Sequence, residues 1–175
     1  KYRKPVKSFW IVLLFLIPAQ TPLFAQTIQF NMEVQPEIGI EVLQDLNFGT
    51  VVANSGTQQI RLGESRMGVF EIRAFSAQNA YLSIQIPDSL RADNSTVTDT
   101  IPLKIHAVYS DRPANFANTT PFENNTAWVS LSSGGGSGTN PSWQTGYVYV
   151  FGEIRVGDIS QGNYSGTLTL NVTYQ

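Results

Sequence analysis

The segment Asn163-Tyr164-Ser165-Gly166-Thr167-Leu168-Thr169-Leu170-Asn171-Val172-Thr173-Tyr174-Gln175 alternates without a slip. Tyr164, Gly166, Leu168, Leu170, Val172 and Tyr174 share one side of an extended chain, and Ser165, Thr167, Thr169, Asn171, Thr173 and Gln175 share the other. Successive side chains of a strand point to opposite faces, so the segment reads as a β-strand with one core face and one wet face. The given sequence ends on this strand, so its apolar face is expected to be covered by its own domain or by another chain.

The same period runs backwards through the chain. Residues 146–156 form a second long strand, joined to the last by Gly157-Asp158-Ile159-Ser160-Gln161-Gly162. Val148, Val150, Ile154 and Val156 share one of its faces; Tyr147, Tyr149 and Phe151 share the other, with Trp143 just before. Both faces are apolar. The strand is therefore central and covered on both sides, or it presents Trp143, Tyr147 and Tyr149 as an aromatic row that stacks on sugar rings or a partner. Residues 101–109 set Ile101, Leu103, Ile105, Ala107 and Tyr109 against Lys104, His106 and Ser110. Shorter alternating runs lie at 81–86, 68–75 and 58–62, and Ile38, Ile40 and Val42 repeat the pattern before the Asn54-Ser55-Gly56 turn. The first run, 27–34, places Ile28, Phe30, Met32 and Val34 on one side. Residues 111–141 change character: Pro, Asn, Thr, Ser and Gly dominate, interrupted by a weak strand at 127–131.

No stretch keeps an apolar stripe at helical spacing for three turns. Many short alternating strands without helices predict an all-β fold, an immunoglobulin-like antiparallel β-sandwich.

Residues 1–25 are expected to stand outside that fold. Lys1, Arg3, Lys4 and Lys7 precede the apolar run Phe9-Trp10-Ile11-Val12-Leu13-Leu14-Phe15-Leu16-Ile17, and Leu23-Phe24-Ala25 offers a cleavage site before Gln26. That order is a secretory signal peptide. The apolar run is about half the roughly 20 residues of a spanning helix, so no stable membrane span is expected after cleavage. Residues 26–175 then make one domain, exported to the periplasm, the cell surface or the medium. Of 11 Lys+Arg, four lie in the leader, leaving seven against 13 Asp+Glu and a net charge near −6. Such a surface does not suit nucleic acid. The chain has no cysteine, which excludes disulfides and thiolate metal sites.

The residues carry no recognisable catalytic chemistry. His106 is the only histidine, and alternation puts it on a solvated face. No Gly-x-Ser-x-Gly elbow presents a nucleophile, and Asp88, Asp93 and Asp99 lack the spacing of a calcium loop. The glycine run 134–138 lacks the Lys-Ser/Thr that follows the last glycine of a phosphate-binding loop. The expectation is a protein that is not an enzyme and holds no cofactor or metal.

The two ends suggest a role. Tyr174 is penultimate and Gly162 stands fourteenth from the end, which resembles the terminal strand of chaperone–usher pilins. That resemblance implies a sandwich lacking its last strand, filled by the N-terminal extension of the next subunit, a form of β-strand addition. Residues 27–34 are the candidate donor; Ile28 to Val34 would span roughly 23 Å at about 3.3 Å per residue. Leu46-Asn47-Phe48-Gly49, Gly68-Val69-Phe70-Glu71-Ile72 and the ending Gly162-Asn163-Tyr164-Ser165-Gly166-Thr167-Leu168 onward are similar to the domain-of-unknown-function 4402 family, exported Gram-negative β-sandwich proteins that resemble spore-coat-U-type pilins. The resemblance implies a pilin-like or surface-assembly subunit, with Gly162, Tyr164, Leu168, Leu170, Val172 and Tyr174 as the pairing strand. Its partners would be other copies of the chain or related subunits. Two alternatives stay open: 27–34 pairs within its own molecule, and the protein is a monomeric carbohydrate- or ligand-binding sandwich.

Overall fold

A computed structural model describes residues 37–75, 79–131 and 143–174, all of them within one unit, Gln35–Gln175. Eleven strands occur among these residues: β1 (Gly39–Gln44), β2 (Gly56–Ile60), β3 (Gly68–Phe75), β4 (Asn79–Gln85), β5 (Ser89–Ala92), β6 (Thr100–Ser110), β7 (Thr120–Pro121), β8 (Thr126–Ser130), β9 (Trp143–Val156), β10 (Tyr164–Ser165) and β11 (Thr169–Tyr174). All their pairings are antiparallel, and the described residues contain no helix. The all-β sandwich expected from the alternation is the observed architecture.

The larger sheet is organised around β9, whose 14 residues make it longer than each of its neighbours. On one edge it pairs first with β3, from Phe75↔Trp143 to Gly68↔Val150, and then with β2, from Ile60↔Gly152 to Gly56↔Val156. Along its other edge lies β6. The partner changes at Gly152, where a Cβ would sit 2.2 Å from the Lys104 carbonyl oxygen, so β6 approaches this closely only because the residue is glycine. β1 borders β3; β5 and β7 share the far edge of β6, and β10 borders β5. The smaller sheet has the order β11-β4-β8.

Between the sheets lies the main core. Ile72 and Ala74 of β3, Ala107 and Tyr109 of β6, and Val148 and Val150 of β9 meet Ala80, Leu82 and Ile84 of β4, Ala127 and Val129 of β8, and Leu170 of β11. Each large aliphatic side chain buried there contributes about 1.5–3 kcal/mol relative to exposure. A second cluster covers the outer face of the larger sheet, where Ile60, Met67, Val108 and Tyr149 pack with Phe116. A third gathers Ile101, Ile154 and Val156 with Leu90 and Tyr164.

Two expectations are corrected. Residues 163–174 are not one strand: Tyr164 pairs with Ala92 in the larger sheet, whereas Thr169 pairs with Gln85 in the smaller. The chain changes sheets at Gly166, where a Cβ would come within 3.0 Å of Leu90 and 3.2 Å of Pro87, so the crossing backbone packs directly on its neighbour. Ser110 is not on a wet face. It is 1 % exposed, its hydroxyl donating to the carbonyls of Arg112 or Asn115 at 3.0 Å each, because the loop after β6 folds back over it. The short strands β5 and β7, four and two residues long, have no alternation long enough to announce them.

Candidate functional site

The two sheets differ in width, and the difference leaves one flank open. On the other flank β7 pairs with β6 in the larger sheet, and after a four-residue link the chain enters β8 of the smaller. The backbone amide of Phe75, at the end of β3, donates to the Tyr174 hydroxyl at 2.9 Å. That bond holds β11 over β3. β1 lies one strand further out, beyond the reach of the smaller sheet.

Register makes the consequence explicit. Ile40 stands opposite Ile72, and Val42 opposite Phe70. Directly opposed residues of an antiparallel pair point to the same face. Ile40 and Val42 therefore face inward, yet they are 42 % and 55 % exposed, while Ile72 beside them is fully buried. No strand of the smaller sheet, among the described residues, lies over them.

The facing edge is β11. Its alternation is as the sequence predicts: Leu170 is 7 % exposed and Val172 and Tyr174 are half-buried, while Thr169, Asn171 and Thr173 are exposed. Leu168, also half-buried, joins the same core. Among the described residues β11 pairs with β4 alone, so its outer edge presents backbone donors and acceptors that could take another strand. The flank thus combines the free edge of β11 with the uncovered inward-facing side chains of Ile40 and Val42 on β1.

Gly162 and Tyr164 are elsewhere. Gly162 lies in the loop before β10, and Tyr164 packs in the third cluster, its hydroxyl donating to the Ser160 carbonyl at 2.9 Å. Ile28, Phe30, Met32 and Val34 lie outside the described residues. The sequence reading missed Ile40 and Val42 as site residues. Their alternation matches that of any core strand, and only the missing cover marks them.

Trp143, Tyr147 and Tyr149 do not form one open row. Tyr149 is 3 % exposed; Phe116 meets its ring edge-on at 5.1 Å and its hydroxyl accepts from the Ala114 amide at 2.8 Å. Tyr147 is half-buried, and partial burial, aided by Glu71, raises its phenol above the ordinary range. Trp143 is 52 % exposed and packs against Phe75 at 5.7 Å.

His106 is exposed, as alternation implies, and stands 5.9 Å from the Phe151 ring in an open depression of about 220 Å³ that Arg61, Lys104 and Glu153 also line. Asp99 accepts from the Ser160 amide at 2.7 Å, which lowers its carboxyl below the usual range. Among the described residues no three His, Asp or Glu side chains group in a way that could hold a metal. No protein-family model matches this chain, and no curated protein matches it.

Proposed function

We propose that this chain is an exported, non-enzymatic structural subunit that assembles through β-strand pairing, with the flank between β1 and β11 as the acceptor. The observation that carries this reading is the outward exposure of two inward-facing side chains, Ile40 and Val42, beside a free strand edge. A strand added along β11 would widen the smaller sheet by one member and cover both. The donor we propose is segment 27–34 of a neighbouring copy, whose Ile28, Phe30, Met32 and Val34 alternate as an inserted strand must. The resemblance to the domain-of-unknown-function 4402 family and to pilins supports the same reading, as does the signal-peptide pattern of the leader. A monomeric binding module built on Trp143, Tyr147 and Tyr149 has less support, because the Tyr149 ring is covered.

Size-exclusion chromatography with light scattering tests the proposal. Full-length mature protein is expected to run as a ladder of masses, and deletion of residues 26–35 to collapse it to a monomer. A synthetic peptide of residues 27–34 should then bind the deleted protein and raise its melting temperature. Unchanged self-association after the deletion, or a clean monomer before it, would overturn the assignment.

A further inference from the structure

The outer face of the smaller sheet has a composition unlike the rest of the molecule. β4, β8 and β11 contain no Asp, Glu, Lys, Arg or His. The outer face of the larger sheet, by contrast, carries Glu71, Arg73, Lys104 and Glu153. Alternation turns Ala80, Leu82, Ala127 and Val129 into the core, so their neighbours point away from it.

Two of those neighbours are aromatic. Trp128 of β8 stands opposite Tyr81 of β4 in register, with ring centroids 4.8 Å apart and planes at 51°. Trp128 is 61 % exposed, although a Trp side chain ordinarily buries most of its surface. Around the pair lie hydroxyl and amide side chains: Ser83 and Thr126 on one side, Asn79 and Ser130 on the other, Thr173 and Asn171 on β11. Hydroxyls and amides both donate and accept.

We infer that the Tyr81–Trp128 face of β4, β8 and β11 binds a neutral carbohydrate. The apolar C–H face of a pyranose ring lies against an exposed aromatic, while its hydroxyls exchange hydrogen bonds with neutral donors and acceptors at the rim. Charge matching selects this occupant. The carboxylate of Glu123, opposite Thr126, borders this face, so an acidic protein, lipid headgroup or nucleic acid would meet no countercharge here, and desolvating its charges would go uncompensated. A polyol carries none. This site lies on the outer face of the smaller sheet, not on the free edge of β11 that forms the acceptor flank, and does not depend on strand exchange. It also differs from the aromatic group Trp143, Tyr147 and Tyr149, which belongs to the larger sheet.

Affinity electrophoresis of the mature protein tests the inference, in native gels containing laminarin, hydroxyethylcellulose or galactomannan as neutral probes and alginate as the acidic one. At least one neutral polysaccharide is expected to retard the protein, and alginate not to. Trp128→Ala should weaken the retardation roughly tenfold or more, while Trp143→Ala, removing a comparably exposed Trp from the other sheet, leaves it intact. Tyr81→Thr reads the same surface from a second strand should Trp128→Ala fold poorly, and thermal melts accompany every variant. Three outcomes overturn the inference: no retardation by any neutral probe, retardation that survives both Trp128→Ala and Tyr81→Thr, or loss on Trp143→Ala. Lowered melting temperatures with retained binding would reduce the pair to a cross-strand packing contact.

Discussion

Tyr109 lies 6 % exposed over the backbone of Gly146, with Asp111 two residues on. Burial first, and the Asp111 charge second, push its phenol up to about 12 from 10.0. An unfolded chain ionises near 10, so between pH 10 and 12 the unfolded state binds fewer protons than the folded one. Stability is then complete below pH 10 and falls as pH rises towards 12. The loss attributable to Tyr109 is on the order of 2 kcal/mol. Urea unfolding at pH 9 and pH 11.5 measures it. Tyr109→Phe is expected to flatten the difference, leaving the smaller slope that the raised Tyr147 and Tyr164 supply.

β1 and β3 are neighbours with matching patterns and different fates. Ile72 of β3 is fully buried, so Ile72→Ala should cost about 3 kcal/mol through lost transfer and cavity terms. Ile40 and Val42 of β1 face the same interior but already keep about half their surface in water. Ile40→Asp and Val42→Asp are therefore expected to cost the isolated subunit about 1 kcal/mol or less each, read from urea midpoints at unchanged slope. In an assembled flank the same carboxylates would be desolvated without partners, so both variants should lose high-mass species in light scattering. A large stability loss in the monomer would mean that the chain itself covers this flank.

The described domain folds around a strand that arrives late in the chain. β9 pairs with β3 at Gly68↔Val150 and with β2 at Gly56↔Val156, joining segments far apart in the chain. Loop closure must precede most of the contacts that stabilise the larger sheet. A fold dominated by such pairings refolds in milliseconds to seconds, not microseconds. Stopped-flow fluorescence after dilution from urea should show that phase. A main phase of roughly 100 microseconds or less would mean that local hairpins carry the transition state.

Period-two alternation is a local property, and it was enough to locate β3, β4, β6, β8 and β9 and to assign the all-β class. It also put Leu168, Leu170, Val172 and Tyr174 on one side of the last strand, because side-chain direction in an extended chain depends only on the residue's own place in it. The weak strand at 127–131 was legible, but not that its Trp128 belongs to a neutral outer face. That needed β4 and β11 laid beside β8. Tertiary structure alone decided where the chain changes sheets, at Gly166, and which faces are covered. Tyr149 and Trp143 share one face of β9, yet the loop carrying Phe116 buries the first and not the second. Ile40 and Ile72 alternate alike, yet only one meets the opposite sheet. Burial is a relation between segments distant in the chain, and alternation within one strand carries no record of what lies across from it.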